Sequence, residues 1–197
     1  MTLHEHLSQK MKARDSQNIT LEFVDYACVA VILRGDSWDN LEVGFIERAT
    51  HPSDRWSGQL AFPGGRKEQS DFNDLAAALR ETLEEVGIDL KKAELLGRLH
   101  DIQARRMDMM LEFFIRPFVF YTDRNFIIKL DSTEVADFFW APLKHLTDPQ
   151  RQTTMDVTRN SVQLSLPAVK LDKGPVLWGL TYMMTQDLLQ TLRPNPN

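Results

Sequence analysis

The sequence of 197 residues contains a single cysteine, Cys28. One cysteine cannot form an internal disulfide, and it rules out the paired Cys-x-x-Cys spacings of structural zinc sites. Cys28 lies in the apolar run at residues 26–33, which favours a small, buried, unreactive side chain. We therefore expect neither a disulfide framework nor a thiolate zinc site.

The sequence also has no excess of basic residues. It contains 23 Lys and Arg against 28 Asp and Glu, which gives a formal net charge of −5 at pH 7. Nucleic-acid-binding surfaces need clustered Lys and Arg to neutralise phosphates, so we expect no nucleic-acid partner. An acidic protein that binds a phosphorylated small molecule needs another source of positive charge. A bound divalent cation can supply it.

Long apolar runs are absent as well, because no stretch approaches the length that spans a bilayer. The N-terminus has no basic segment followed by an apolar one, as a secretory signal would. We therefore expect a cytoplasmic protein with no membrane partner. The length suits one domain with a sizeable core, preceded by a helix and linker. We place the helix and linker at residues 1–20 and the domain at residues 21–193.

Hydrophobic periodicity predicts strands and helices in irregular succession, which favours an α/β fold with a mixed sheet flanked by helices. Helices are predicted at residues 2–12, 74–86 and 175–192, and strands at residues 26–33, 41–48, 94–102, 110–121 and 135–140. Pro117, inside one predicted strand, indicates a sheet edge or a bulge. The apolar face of the last helix suits either the core or a homodimer interface.

The helix predicted at residues 74–86 is the most informative element. At about 100° per residue, the face that we expect to pack on the sheet carries Leu75, Leu79, Leu83 and Val86. The nearly opposite face presents three carboxylates, those of Glu81, Glu84 and Glu85. Carboxylates without thiol or imidazole neighbours suit Mg²⁺ or Mn²⁺. A solvated acidic helix face is the alternative interpretation.

The segment before this helix favours the cation. Pro63 fixes one backbone dihedral, and Gly64 and Gly65 follow without Cβ atoms. Such a loop can bring a backbone carbonyl against the acidic face as a neutral oxygen ligand. A Pro-Gly-Gly turn is common by itself, but in combination with the acidic helix it indicates a cation site.

These residues together resemble the signature of the Nudix hydrolase family, G-x5-E-x7-R-E-U-x-E-E-x-G-U with U apolar. Residues 80–88 match its second half at every position except Thr82, where an apolar residue is expected. The first half departs from the signature. Gly65 lies one residue too far from that run, and Phe72 stands at the position of the first Glu, with Asp71 beside it.

With this inserted residue, the sequence resembles the coenzyme A pyrophosphatase branch of the family. The signature of that branch ends in G-x3-F-P-G-G, and residues 58–65 match it. That branch expects an Arg four residues before Gly58, where this sequence has Asp54 followed by Arg55. Its upstream L-L-T element is absent. The resemblance covers residues 25–192 and implies a Nudix-type α/β/α sandwich.

The resemblance also implies a reaction in which water attacks one phosphorus of a P–O–P bridge, with Mg²⁺ or Mn²⁺ as the cofactor. It implies that Arg80 orients a glutamate and that the metal ligands are Glu81, Glu84, Glu85 and the carbonyl of Gly64. The substrate is expected to be a small nucleoside diphosphate derivative.

Two further roles remain open at the level of sequence. The general base should be a carboxylate, and Glu81 and Glu134 are the candidates, although Glu134 is equally typical of a solvated loop residue. Arg48 and Arg55 flank the entry to the glycine-rich loop. Each could bind diphosphate oxygens in a bidentate manner, or be a surface arginine.

Three functions follow from these alternatives. The first is a diphosphatase of coenzyme A or its derivatives, and the second is a diphosphatase of nucleoside diphosphate sugars or ADP-ribose, which the displaced Arg55 favours. The third is a catalytically inactive domain that binds a ligand. Because all three signature glutamates are intact, the sequence favours an enzyme over a binding module.

Overall fold

The structure, a computed structural model, describes residues 1–19, 25–52, 54, 56–106, 109–159 and 162–193, with backbone alone at residues 105–106, 109–112 and 159. The helices are α1 (Leu3–Lys12), α2 (Asp74–Val86), α3 (Leu143–Thr147) and α4 (Gly179–Leu192). The strands are β1 (Asp25–Arg34), β2 (Glu42–Arg48), β3 (Leu60–Ala61), β4 (Gly64–Arg66), β5 (Glu94–Arg98), β6 (Ile102–Arg106), β7 (Met109–Thr122), β8 (Val135–Pro142), β9 (Gln152–Arg159), β10 (Val162–Val169) and β11 (Leu177–Trp178).

The main sheet contains β1 to β8. Its strand order is β3-β2-β1-β7-β5, while β4 pairs with β1, β6 with β7 and β8 with β2. The pairing of β1 with β7 is parallel, whereas the other pairings in this sheet are antiparallel. The predicted mixed sheet is thus confirmed. A smaller antiparallel sheet has the order β11-β10-β9.

Strand β1 divides the core into two layers because successive side chains of a strand point to opposite faces. Val29, Val31 and Leu33 join the cluster that contains α1 and α4. The alternate residues, which include Cys28 as a free buried thiol, join the cluster that contains α2. The sheet therefore lies between helices on both sides, as the α/β/α expectation required.

Helix α1 confirms the helix predicted at the N-terminus. Its first turn has a capping box, in which Glu5 N–H donates to Thr2 Oγ1 and Thr2 N–H donates to the Glu5 carboxylate. Its apolar face, Leu3, Leu7 and Met11, is buried in the core. The expected domain boundary at residue 20 falls outside the described residues.

Helix α2 has its predicted bounds, with Asn73 as the N-cap and Gly87 in the left-handed conformation at its end. The predicted buried face is confirmed at Val86, and Leu75 and Leu79 pack against the core, but the prediction was wrong for Leu83, which is half exposed. The buried positions are Ala77, Ala78, Thr82, Glu85 and Val86. The small alanines let the helix lie close to the sheet, and Glu85 is buried with them.

Strand β7 lies inside the sheet, so the prediction of an edge at Pro117 was wrong. On one side, Pro117 pairs with Val29 of β1. On the other side, β5 ends at Arg98, opposite Phe118, and β6 begins at Ile102, opposite Ile115. The missing N–H of Pro117 therefore faces the break between two neighbouring strands.

Two other expectations need correction. The strand predicted at residues 94–102 is divided into β5 and β6. The last helix begins at Gly179 and not at residue 175, because Leu177 and Trp178 pair with β10 as β11. The hairpin of β9 and β10 was not predicted. None of the described helices is long and apolar enough to cross a membrane.

Truncating a core contact of α1 tests whether this helix unfolds together with the sheet. Leu7→Ala should lower the free energy of unfolding by about 2–5 kcal/mol, because Leu7 is fully buried. Leu95→Ala, at a largely exposed position, is the control and should cost much less. Denaturant unfolding measures both variants, and an unchanged midpoint for Leu7→Ala would show that α1 is not part of the cooperative unit.

Candidate active site

The candidate site forms where α2 passes over β4. Gly64 N–H donates a hydrogen bond of 2.8 Å to Glu85 Oε2. A Cβ atom on Gly65 would lie 2.5 Å from the Glu81 carboxyl carbon, so any side chain there would displace that carboxylate. Gly64 has a φ of 143°, and a Cβ there would collide with the carbonyl of Cys28. Gly65 is therefore needed for the close approach of α2, and Gly64 for the close approach of β4 to β1.

The hydrogen bonds between β1 and β4 do not use the backbone N–H and carbonyl of Gly64. Ala30 N–H donates to the Pro63 carbonyl and Lys67 N–H donates to the Tyr26 carbonyl. Hydrogen-bonded pairs alternate with non-bonded pairs in an antiparallel ladder, so the pair of Gly64 and Val29 falls at a non-bonded position. The Gly64 carbonyl consequently lies outside the ladder, as a cation ligand must.

Burial dominates the electrostatics of the two inner glutamates. Glu85 is only 3% exposed, and its burial raises its pKa to about 8, against the opposing effect of the Gly64 N–H. Burial also raises the pKa of Glu81, and Arg80 counteracts that shift. Each carboxylate further disfavours the charge of the other. A proton or a cation is therefore favoured between them.

Arg80 holds the outer side of the acidic cluster. Its Nε and one terminal nitrogen donate to both oxygens of Asp71, at 3.0 and 2.9 Å. Its other terminal nitrogen donates to Glu81 at 2.9 Å and to Glu84 at 3.0 Å. These contacts are the ones that an orienting arginine would make.

Asp71 is a residue whose importance the sequence reasoning missed. The hydrogen bonds from Arg80 lower its pKa, and it is buried, whereas Phe72, at the signature position, is 94% exposed. The acid one position before the expected glutamate thus anchors the arginine. Its place beside a signature position was the available signal.

Glu84 lies further out than the other two glutamates and shares one Arg80 nitrogen with Glu81. Its side chain is 57% exposed and is directed toward Arg80. Within the described part of the chain, no three His, Cys, Asp or Glu side chains already converge as a cation site. The candidate ligand atoms at the site are all oxygens, and oxygen ligands suit Mg²⁺ or Mn²⁺. Glu84 would need a new side-chain rotamer to take part.

A cleft of about 1040 Å³ opens in front of Glu81 and Glu85 and is also lined by Arg48 and Glu134. The backbone carbonyl of Glu134 accepts a hydrogen bond of 2.8 Å from Ala49 N–H, which fixes this loop residue at the cleft. Its charge contributes to the raised pKa of both inner glutamates. The structure therefore brings Glu134 to the site.

Of Arg48 and Arg55, the two arginines considered for binding the diphosphate, the structure describes Arg48. Arg48 lines the cleft, but its Nε and one terminal nitrogen donate to Asp54 at 3.0 and 2.7 Å. This ion pair orients the guanidinium and occupies part of its donor set. Arg55 lies outside the described residues.

The remaining cleft walls come from segments to which the sequence reasoning assigned no functional role. They carry mainly apolar and aromatic side chains, among them Trp56, Phe113, Leu166, Trp178, Leu180 and Met183. These residues belong to the turn before β3, to β7, to β10, to β11 and to the start of α4. Because they are far apart in the chain, no local pattern could have grouped them.

Known proteins resemble this chain over much of its length. It is 36% identical over 115 residues to an uncharacterized Schizosaccharomyces pombe protein, and the aligned region covers 57% of this chain and 35% of that protein. It is 30% identical over 106 residues to the peroxisomal coenzyme A diphosphatase NUDT7 of Mus musculus, which covers 54% of this chain and 43% of that protein. The chain thus spans less than half the length of either relative.

The crystal structure of a MutT/nudix family protein from Enterococcus faecalis has a similar fold. Its TM-score is 0.54 at 15% identity, over 96% of this chain and 74% of that chain. The NUDIX domain family model matches residues 26–161, which include β4, α2 and the acidic cluster. The family resemblance and the fold expected from it are therefore confirmed, and the chain belongs to the NUDIX domain family.

Proposed function

We propose that this protein is a hydrolase that requires Mg²⁺ or Mn²⁺ and cleaves the diphosphate linkage of coenzyme A or one of its derivatives. The observation that carries the proposal is the buried carboxylate of Glu85 beside the partly buried carboxylate of Glu81, held against Gly64 and Gly65 at the wall of a large cleft. Two carboxylates withdrawn from water at such a position have no evident structural purpose, but they suit a cation that binds phosphates.

The cation would be held by oxygen ligands alone. Glu81, Glu85 and the Gly64 carbonyl face the site, and Glu84 can join them by leaving Arg80. When bound, the cation supplies the positive charge that offsets the phosphoryl oxygens and helps to generate hydroxide. Arg80 would then keep Glu81 in position through its anchor on Asp71.

A side chain of the protein must accept a proton from the attacking water. As the water oxygen bonds to one phosphorus, the bridging P–O bond breaks and the bridging oxygen leaves with the other phosphate. The water proton passes to a carboxylate, and Glu134 is the better-placed candidate because it lines the cleft without being part of the buried pair. Arg48, aligned by Asp54, can contact the diphosphate oxygens.

The apolar cleft wall favours coenzyme A over a nucleotide sugar. Leu180, Met183 and Met184 line the cleft near the start of α4, and Met183 is half exposed. A sugar would need a dense set of hydrogen-bonding partners, whereas the flexible arm of coenzyme A can lie along an apolar wall. The likeness to a coenzyme A diphosphatase points the same way.

Nucleoside diphosphate sugars and ADP-ribose remain the alternative substrates, and an inactive ligand-binding domain is the third hypothesis. The intact carboxylates argue against the last of these. A homodimer and a cytoplasmic location stay predictions of the sequence.

Cation dependence is the first test. Purified protein should hydrolyse its substrate with Mg²⁺ or Mn²⁺, gain thermal stability from the cation, and lose both effects in excess EDTA. Glu85→Gln should abolish turnover and raise the melting temperature of the cation-free protein, since each kcal/mol relieved corresponds to about 2–4 °C in a domain of this size. Glu84→Gln, at an exposed position, should reduce turnover without that gain. Full turnover in EDTA would reject the metal assignment.

The general base can be separated from the cation ligands by a pair of variants. Glu134→Gln should lower kcat by about 10²–10⁴-fold and leave the cation-induced rise in melting temperature intact. Glu81→Gln should lose both properties. Glu94→Gln, an exposed carboxylate that contacts His4, is the control and should retain both. If Glu134→Gln keeps the wild-type kcat, Glu134 is not the base.

The substrate can be determined with coenzyme A, dephospho-coenzyme A, ADP-ribose and nucleotide sugars as a panel. If coenzyme A is preferred, a cationic side chain must meet its 3′-phosphate, and Arg55 is the candidate. Arg55→Ala should then weaken transition-state binding of coenzyme A by about 1.5–3 kcal/mol more than that of dephospho-coenzyme A. Arg48→Ala should affect both equally. Wild-type preference for ADP-ribose or a nucleotide sugar would establish the alternative.

A further inference from the structure

One part of the cleft carries two aromatic rings that the proposed chemistry does not use. The rings of Trp56 and Phe113 lie 5.9 Å apart, centroid to centroid, at an interplanar angle of 33°. The guanidinium of Arg66 lies 5.8 Å from the centroid of Phe113. All three residues line the cleft. The three side chains are called the aromatic site below.

The aromatic site is not an extension of the protein core. Trp56 and Phe113 are only partly buried, and neither belongs to either of the two hydrophobic clusters that stabilise the described fold. Trp56 lies in the turn before β3 and Phe113 in β7, so their meeting does not follow from their positions in the chain. Two large, partly exposed rings that line a cleft and lie outside the core are typical of a surface that binds a ligand.

Small side chains form the floor of the cleft beside the aromatic site, and the Arg66 guanidinium is paired with Asp25 at 3.0 Å. Ala27 of β1 pairs with Arg66 on one side and with Ile115 on the other, so β1 forms a floor between β4 and β7. Ala27 and Ala104 are buried small residues that line the cleft. The amide of Gln103 lines the same cleft. A planar ring with polar edges would fit above this floor.

Strand β4 connects the carboxylates with the aromatic site. It begins at Gly64, which donates to Glu85, and ends two residues later at Arg66, whose guanidinium lies over Phe113. The carboxylates and the aromatic rings line the same cleft. A nucleotide whose diphosphate lies at Glu81 and Glu85 therefore meets the aromatic site within that cleft.

We propose that Trp56 and Phe113 bind the nucleobase of the substrate by stacking, with Arg66 covering the outer face of Phe113. This inference rests on the proposed function and adds two residues that determine its specificity for nucleotides. Stacking accepts any base because every base has a π-face. The site therefore selects nucleotide diphosphates over diphosphates that lack a base, and leaves discrimination among bases to edge contacts.

Two ligands that differ by the base alone test the proposal. AMP and ribose 5-phosphate are titrated by calorimetry, with Mg²⁺ present, into the wild-type protein and into Trp56→Ala and Phe113→Ala. Each variant should bind AMP about fivefold to a hundredfold more weakly. The affinity for ribose 5-phosphate should change less than twofold. Trp56→Phe and Phe113→Tyr keep an aromatic ring and should retain most of the AMP affinity.

Tryptophan fluorescence gives a second measurement that does not depend on alanine variants folding. AMP should quench the wild-type emission, and the quench should be largely lost in Trp56→Phe. Trp38→Phe, at an exposed position beside His6, should retain it. Equal losses for AMP and ribose 5-phosphate, or an unchanged AMP affinity, would overturn the proposal. Because both measurements record binding without turnover, a failure of the hydrolase proposal would be seen separately.

Discussion

The close approach of α2 to β4 is the constraint on which the rest of the site depends. It requires glycine at position 65, since a Cβ there would meet the Glu81 carboxylate, while glycine at position 64 lets β4 lie against β1, where a Cβ would meet the Cys28 carbonyl. It also requires Ala77 and Ala78, because larger side chains would lift the helix off the sheet. With the helix this close, Glu81 and Glu85 lose their water and depend on one backbone N–H and on Arg80.

This arrangement opposes stability, and the proposed cation would offset that cost. A buried carboxylate whose pKa is raised to about 8, as that of Glu85 is, disfavours its own ionised form. Arg80 cannot neutralise the cluster, because Asp71 already takes two of its hydrogen bonds. A divalent cation would resolve the imbalance and at the same time attract the phosphates that an acidic protein otherwise repels. The same charges therefore account for both the strain and the proposed affinity.

The cleft has two parts, the carboxylates on α2 and the walls that surround them, and different elements of the fold carry them. The carboxylates are carried by a helix that is capped at both ends and packed on the central strand, so their positions are well determined. The walls that would select the substrate come from a turn, the smaller sheet and the start of α4, with Phe113 of β7 as a contribution from the main sheet. The peripheral segments can vary without disturbing the main sheet, so one fold can serve many diphosphate substrates.

Much of this protein can be predicted from short-range information. The ends of α2 follow from Asn73 and Gly87, and four predicted strands agree with the structure to within two residues at each end. The run at residues 80–88 identifies the family before any fold is known. Local backbone preferences and the periods of helix and strand are sufficient for these features, because each depends on neighbours in the chain.

The tertiary structure decided the remaining features. It buried Glu85 of α2 and left Leu83 half exposed, it gave Arg80 its anchor on Asp71, and it brought Trp56 beside Phe113. The period of α2 was known from the sequence, but its rotation about its own axis was not. That rotation depends on the register of β4 against β1 and on the space left by two glycines, and these contacts join residues that are far apart in the chain.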